Sequence, residues 1–298
     1  WNIISPEDEN DKRNFNNNRL KILAKILTNE SIMNFDEILS EADGIILNPS
    51  FISSDMGYDD LCLIETYITE RCLQLNKPLY IEFQGIESLG ANMIPKMSDI
   101  SNIDSSINAG IDGLILNGYF QKESFINLQR IISEMENLVD SRNKYDDISK
   151  TMKSLNDDNI KSFLSDNKFN ISGMIENLFD SAAKMTFEIN ISIMLLFCDS
   201  FIVAKRLSKY RPNCRIVVPT TNINEFNMLR LFRGVSGMLT KEKNVSPENE
   251  NIIKDLAEYG KNKNYLREEG ENIILIVKAY SSLNNYSKNG MFIKEIKL

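Results

Sequence analysis

Histidine is absent from all 298 residues, so neither a Ser-His-Asp or Cys-His relay nor a His-containing zinc site can be assembled from this chain. Two acidic pairs, Asp59-Asp60 and Asp157-Asp158, read as helix N-terminal charges or solvated loop residues rather than as converging metal ligands. The four cysteines, Cys62, Cys72, Cys198 and Cys214, form no CxxC pair and lie in apolar or strand-like surroundings. They read as reduced core thiols of an intracellular protein. The side chains that usually do chemistry are therefore either missing or badly spaced.

The elements that would have to position a site are clearer. Leu20–Ile26, Asp43–Asn48, Pro78–Gln84 and Asp112–Gly118 are strand-like runs separated by helical stretches, which predicts repeated β-α units around a parallel sheet. In a β/α barrel the active site lies at the C-terminal ends of such strands. Here those ends carry Leu27, Phe51, Phe83 and Tyr119 instead of a convergent set of carboxylates. Helices are predicted over 31–39, 59–75, 99–108 and 123–139. In the second of these, Leu61, Ile64, Ile68, Cys72 and Leu75 recur at helical spacing. Lys77-Pro78 ends that helix, and Ala109-Gly110 closes the next.

Residues 140–170 are rich in Asp, Ser, Lys and Asn and read as a linker with a possible helix. Beyond them, helices at 174–187, 204–209, 222–231 and 250–261 alternate with strands at 192–198, 215–219 and 237–240. Strands at 272–279 and 291–298 close the chain. This describes a second α/β domain with a mostly parallel sheet and antiparallel final strands. Hydrophobic content of 42% is ordinary for a globular chain, and a net charge of −8 argues against nucleic acid or an anionic membrane surface as partner. No apolar run is long enough for a membrane span.

The order and wording of these segments resemble pyruvate kinase, from late in its catalytic barrel through its C-terminal domain. The residues that carry the resemblance in the first half are Phe35-Asp-Glu-Ile-Leu39, Ala42-Asp-Gly-Ile-Ile46, Lys77-Pro78, Gln84-Gly-Ile-Glu-Ser88 and Ala109-Gly-Ile-Asp-Gly113. In the second half they are Ala204-Lys-Arg-Leu-Ser-Lys-Tyr-Arg-Pro212 and Leu231-Phe-Arg-Gly234. The resemblance implies an α/β fold: the C-terminal half of a TIM-type β/α barrel (1–140), a polar linker (141–170) and a pyruvate-kinase-like C-terminal α/β domain (171–298). Four β/α units leave two strand edges open. The start at Trp1 favours a natural chain with an upstream segment over completion of the sheet by another chain.

The same resemblance locates the losses. The family holds a divalent ion with a Glu in a Ser-Lys-Ile-Glu segment and an Asp in an Ala-Arg-Gly-Asp segment. These positions align with Leu27 and Phe51 here, and an apolar side chain offers a hard cation no lone pair. Glu30, three positions beyond Leu27, is the nearest substitute carboxylate. Lys25 survives with two readings: the lysine that steadies the transferred phosphoryl group, or a structural cation paired with Glu82 or Asp36. Gln84 is retained while the neighbouring family Thr is Phe83, and Gln84 reads better as a strand-end residue than as a catalyst. The family's Ser-Gly-Glu-Thr becomes Asn117-Gly-Tyr-Phe120. The phosphate cradle of the C-terminal effector loop becomes Cys198-Asp-Ser-Phe-Ile-Val203, where only Ser200 persists, and the Gly-rich closing loop becomes 281–285.

The family uses Mg and K; with those ligands gone, no cofactor is expected. The expectation is a cytoplasmic, catalytically silent pyruvate-kinase-like subunit, partnered in a homo-oligomer or a hetero-oligomer with an active pyruvate kinase. The alternatives are an active kinase with atypical metal ligands and a metabolite sensor.

Overall fold

A parallel sheet and a mixed sheet, each packed on its own apolar residues, are joined by contacts centred on Asp112, Arg211 and Arg233. The structure is a computed structural model and describes residues 21–56, 61–83, 96–116, 122–138, 142–143, 145–150, 168–242, 245–266, 271–279 and 292–297.

The first sheet contains β1 (Leu23–Ile26), β2 (Gly44–Leu47), β3 (Leu79–Phe83) and β4 (Gly113–Leu116). They lie in the order β1-β2-β3-β4, all parallel. Helices α1 (Asn29–Met33), α2 (Phe35–Glu41), α3 (Pro49–Met56), α4 (Leu61–Gln74), α5 (Met97–Ala109) and α6 (Lys122–Leu138) alternate with these strands. The helix predicted over 31–39 is thus two short helices broken at Asn34, and β1 starts three residues later than expected. Helix α3 was not anticipated, although Asn48 as N-cap followed by Pro49 at the first helical position is a legible start signal.

Alternation along the strands sorts their side chains. Ile26, Ile45, Leu47, Leu79, Ile81 and Phe83 bury against Phe35, Leu39, Ile52, Ile68, Ile103 and Ile107 of the helices. The strand register places Lys25 beside Ile46, Ile46 beside Tyr80, and Tyr80 beside Gly113 on the opposite, inner face. Glycine is required where that face is tightest: a Cβ at Gly44 would stand 2.7 Å from Leu23 Cδ2 and 2.8 Å from Pro78 Cγ. Gly110 ends α5 in the left-handed conformation at φ 96°, as predicted for a C-cap.

The second sheet contains β5 (Ile191–Cys198), β6 (Arg215–Thr220), β7 (Val235–Leu239), β8 (Ile273–Ala279) and β9 (Phe292–Lys297), ordered β7-β6-β5-β8-β9. Strand β8 runs parallel to β5, so only β9 is antiparallel. The helices are α7 (Lys168–Glu188), α8 (Phe201–Ser208), α9 (Ile223–Leu229) and α10 (Glu250–Asn262). Strand β5 feeds two cores by alternation: Met194 and Leu196 meet Phe179, Ala183 and Leu207 on one side. Ile193, Leu195 and Phe197 meet Ile252 and Leu256 of α10 on the other. Residues 145–150 are helical, and Tyr145 packs into the first of these cores while its hydroxyl donates to Asp180 Oδ1 at 2.8 Å.

Asp112, just before β4, is the main rivet between the sheets. Its Oδ1 accepts from Arg211 Nη1 at 3.2 Å and from the Arg233 backbone N–H at 3.2 Å, while Oδ2 accepts from the Leu79 N–H at 3.1 Å. Arg211 also donates to Gly110 O, Arg233 to Ile107 O, and the Tyr80 hydroxyl to Leu231 O at 2.6 Å. These contacts gather at the N-terminal ends of the first sheet's strands. None of these contacts reaches the C-terminal ends of the strands.

Candidate functional site

At those C-terminal ends, Lys25 on β1, Asn48 after β2 and Glu82 on β3 come together. Lys25 Nζ lies 2.6 Å from Glu82 Oε2, and Asn48 Nδ2 donates to the same oxygen at 2.8 Å. The Glu82 side chain is 5% exposed and that of Lys25 40%, so the pair is a buried carboxylate under a half-open lysine. A buried carboxylate is tolerated only with such partners. Of the two partners expected for Lys25, the structure pairs it with Glu82; Asp36 is bound instead by Arg71.

The backbone around the two expected metal-ligand positions is saturated locally. Thr28 caps α1, and Ser31 Oγ accepts from the N–H groups of Leu27 at 3.3 Å and Thr28 at 3.1 Å. Asn48 Oδ1 accepts from the Phe51 N–H at 3.3 Å at the start of α3. Leu27 is half-buried, and Phe51 is 44% exposed. Phe83 is buried in the apolar cluster. Glu30 is exposed in the first turn of α1 and joins no cluster of potential ligands among the described residues. Gln84, Asp59-Asp60, Asn117–Phe120, Asp157-Asp158 and 281–285 lie outside the described residues.

A magnesium ion needs near-octahedral oxygen ligands at short range. Among the described residues no group of three or more acidic or cysteine side chains converges, and the one carboxylate at the strand ends is already engaged by Lys25 and Asn48. The described residues at these strand ends do not fit the ion. In the second domain, Ser200 Oγ accepts from the Ile202 N–H at 3.3 Å as the N-cap of α8, and the Phe201 ring packs on the core. Ser200 therefore works as a helix cap in the segment expected, from the resemblance, to correspond to the family's phosphate cradle. Burial raises the Cys72, Cys198 and Cys214 thiols to about 12, so none is poised as a nucleophile. A groove of about 340 Å³ follows the outer side of β4 against α6, with Arg215 and Arg233 in its wall, and Lys25 and Glu82 take no part in it.

The family model for the pyruvate kinase barrel domain matches residues 10–126, and the model for the pyruvate kinase alpha/beta domain matches residues 176–286. The chain belongs to the pyruvate kinase family. It is similar to a pyruvate kinase of Sporosarcina psychrophila, 25% identical over 235 residues that cover 77% of this chain and 37% of the relative. To pyruvate kinase 1 of Trypanosoma brucei brucei it is 22% identical over 273 residues, 89% of this chain and 51% of the relative. Among solved structures, Cryptosporidium parvum pyruvate kinase in complex with ADP superposes with a TM-score of 0.74 at 20% identity, over 93% of this chain and 51% of that one. The likeness in structure speaks for the fold. This pyruvate-kinase-like chain spans about half the length, or less, of these relatives. Among its described residues, no helix is long and apolar enough to cross a membrane.

Proposed function

We propose that this chain is a non-catalytic member of the pyruvate kinase family, with a structural or regulatory role inside a pyruvate kinase-type oligomer. The observation that carries the reading is the state of Glu82: its carboxylate is spent on Lys25 and Asn48 at 2.6 and 2.8 Å. Leu27 and Phe51 stand where the family places oxygen ligands. Phosphoryl transfer relies on positioning and on cations that offset phosphate charge, and losing a bound metal removes several kcal/mol of transition-state stabilisation. Lys25 then serves as the counter-ion of Glu82, tying β1 to β3 across the sheet. A cytoplasmic location accompanies this reading.

The test is a coupled assay of pyruvate formation from phosphoenolpyruvate and ADP with Mg²⁺ and K⁺ on the full natural chain. It is paired with light scattering and co-purification. No turnover, together with assembly into an oligomer with itself or an active pyruvate kinase, is expected. Turnover that disappears in Lys25→Met would overturn the silent-site reading. A monomer that captures no kinase would overturn the oligomer role.

A further inference from the structure

Where the two units meet, a small, partly open cavity of about 20 Å³ is lined by Asn76, Lys77, Asp112, Lys205, Lys209 and Arg211. Two buried polar atoms, Asn76 Oδ1 and Arg211 Nε, lack hydrogen-bond partners among the described residues, and both residues line this cavity. Buried polar groups are nearly always satisfied, so orphans from two different domains beside one cavity point to a bound particle. A space of that size holds about one water-sized or halide-sized particle.

Charge decides which. Among the groups around the cavity, Asp112 answers Arg211 at 3.2 Å and Glu176 answers Lys209 at 2.8 Å. Asp43, the next carboxylate facing Lys205, is held by Lys21 at 3.2 Å. Lys77 donates to Ala42 O at 2.6 Å and Lys205 lies over the Phe232 ring at 5.8 Å, but neither forms an ion pair with a carboxylate. Among the described residues, then, two lysine charges have no carboxylate of their own: Asp43 and Asp112 face Lys205, but each is already paired with another cation. The C-terminal ends of α4 and α8, which close at this junction, offset them by roughly half a charge each. About one positive charge remains, which calls for a monovalent anion. The Asn76 amide can turn its isosteric NH₂ end inward, converting an orphan acceptor into a donor.

We propose that this cavity is a binding site for a single halide-sized monoanion such as chloride, gripped by Arg211 and Asn76 from opposite domains with Lys205 and Lys77 supplying the charge. The ion would act as a mortar between the two units. The placement of Lys205 agrees: burial and repulsion from Lys77 lower its amine to about 8, as expected where a counter-charge is needed.

The test replaces gluconate by chloride at constant ionic strength and follows thermal unfolding of the full chain. A saturable rise in midpoint of about 2–4 °C is expected, from a ligand that binds only the folded state. Lys205→Met should lose that rise, while Lys150→Met, at an exposed lysine, should keep it. Should Lys205→Met fail to fold, crystals soaked in bromide decide: an anomalous peak in the cavity supports the site. Ordered water there without anomalous signal, or a midpoint indifferent to the anion, overturns it.

Discussion

Lys25 and Glu82 give the sharpest test of whether the strand-end cluster is structural. When both partners of an ion pair are buried, removing one costs about 3–5 kcal/mol, whereas a fully exposed pair is worth about 0–1. Here the carboxylate side is 5% exposed and the lysine side 40%. Solvent at the lysine screens the pair, and Asn48 keeps one hydrogen bond on Glu82, so Lys25→Met should cost about 2 kcal/mol. Glu82→Gln retains the hydrogen bond to Asn48 but loses the ion pair, for about 1–2 kcal/mol. In the double variant the lysine is gone and nothing charged is left buried, so its loss should fall short of the sum by about 1–2 kcal/mol. Urea unfolding of the wild type, both single variants and the double variant measures this coupling directly. Additivity within about 0.3–0.5 kcal/mol would refute the reasoning, because it would mean that the two side chains act independently.

Three further outcomes follow from particular contacts. Lys205 has a folded-state pKa near 8, below its unfolded value, so the unfolded chain binds more protons between about pH 8 and 10 and Lys205 destabilises the fold while charged. In low chloride, Lys205→Met should be more stable than wild type at pH 7, and the difference should shrink as pH rises through 8 to 10; a constant difference would refute this. Thiols held near 12 are almost wholly protonated at pH 8, so Cys72, Cys198 and Cys214 should react with a disulfide reagent at least ~100-fold more slowly than free cysteine until the chain is unfolded. Peptide mapping of labelled sites checks this, and fast native labelling of any of the three would contradict it. Gly44→Ala drives a methyl to 2.7 Å from Leu23 and 2.8 Å from Pro78, and should destabilise by about 1–3 kcal/mol in thermal or urea unfolding. A neutral result would show that the β1–β2 edge can yield.

Much of the architecture is local information, and the sequence alone determined it. Residue pattern and helical spacing marked every described strand of both sheets, and Gly110 announced the end of α5, because such signals depend on neighbours a few residues away. Where local signals are faint the expectation and the structure differ: Asn34 breaks one expected helix into α1 and α2, and α3 starts at Asn48-Pro49 where no helix is expected. That Leu27 and Phe51 offer a cation no lone pair is equally visible, since the type of side chain suffices to say so.

The partner of Lys25 was not decided by sequence. Glu82 is 57 residues away, and only the parallel register of β1, β2 and β3 brings Lys25, Asn48 and Glu82 to one point. The junction between the domains was hidden for the same reason. Lys77 and Lys205, or Asp112 and Arg211, are ordinary charges along the chain; their burial, their pairing and the charge left unanswered exist only once two separate cores have packed together and excluded water from between them.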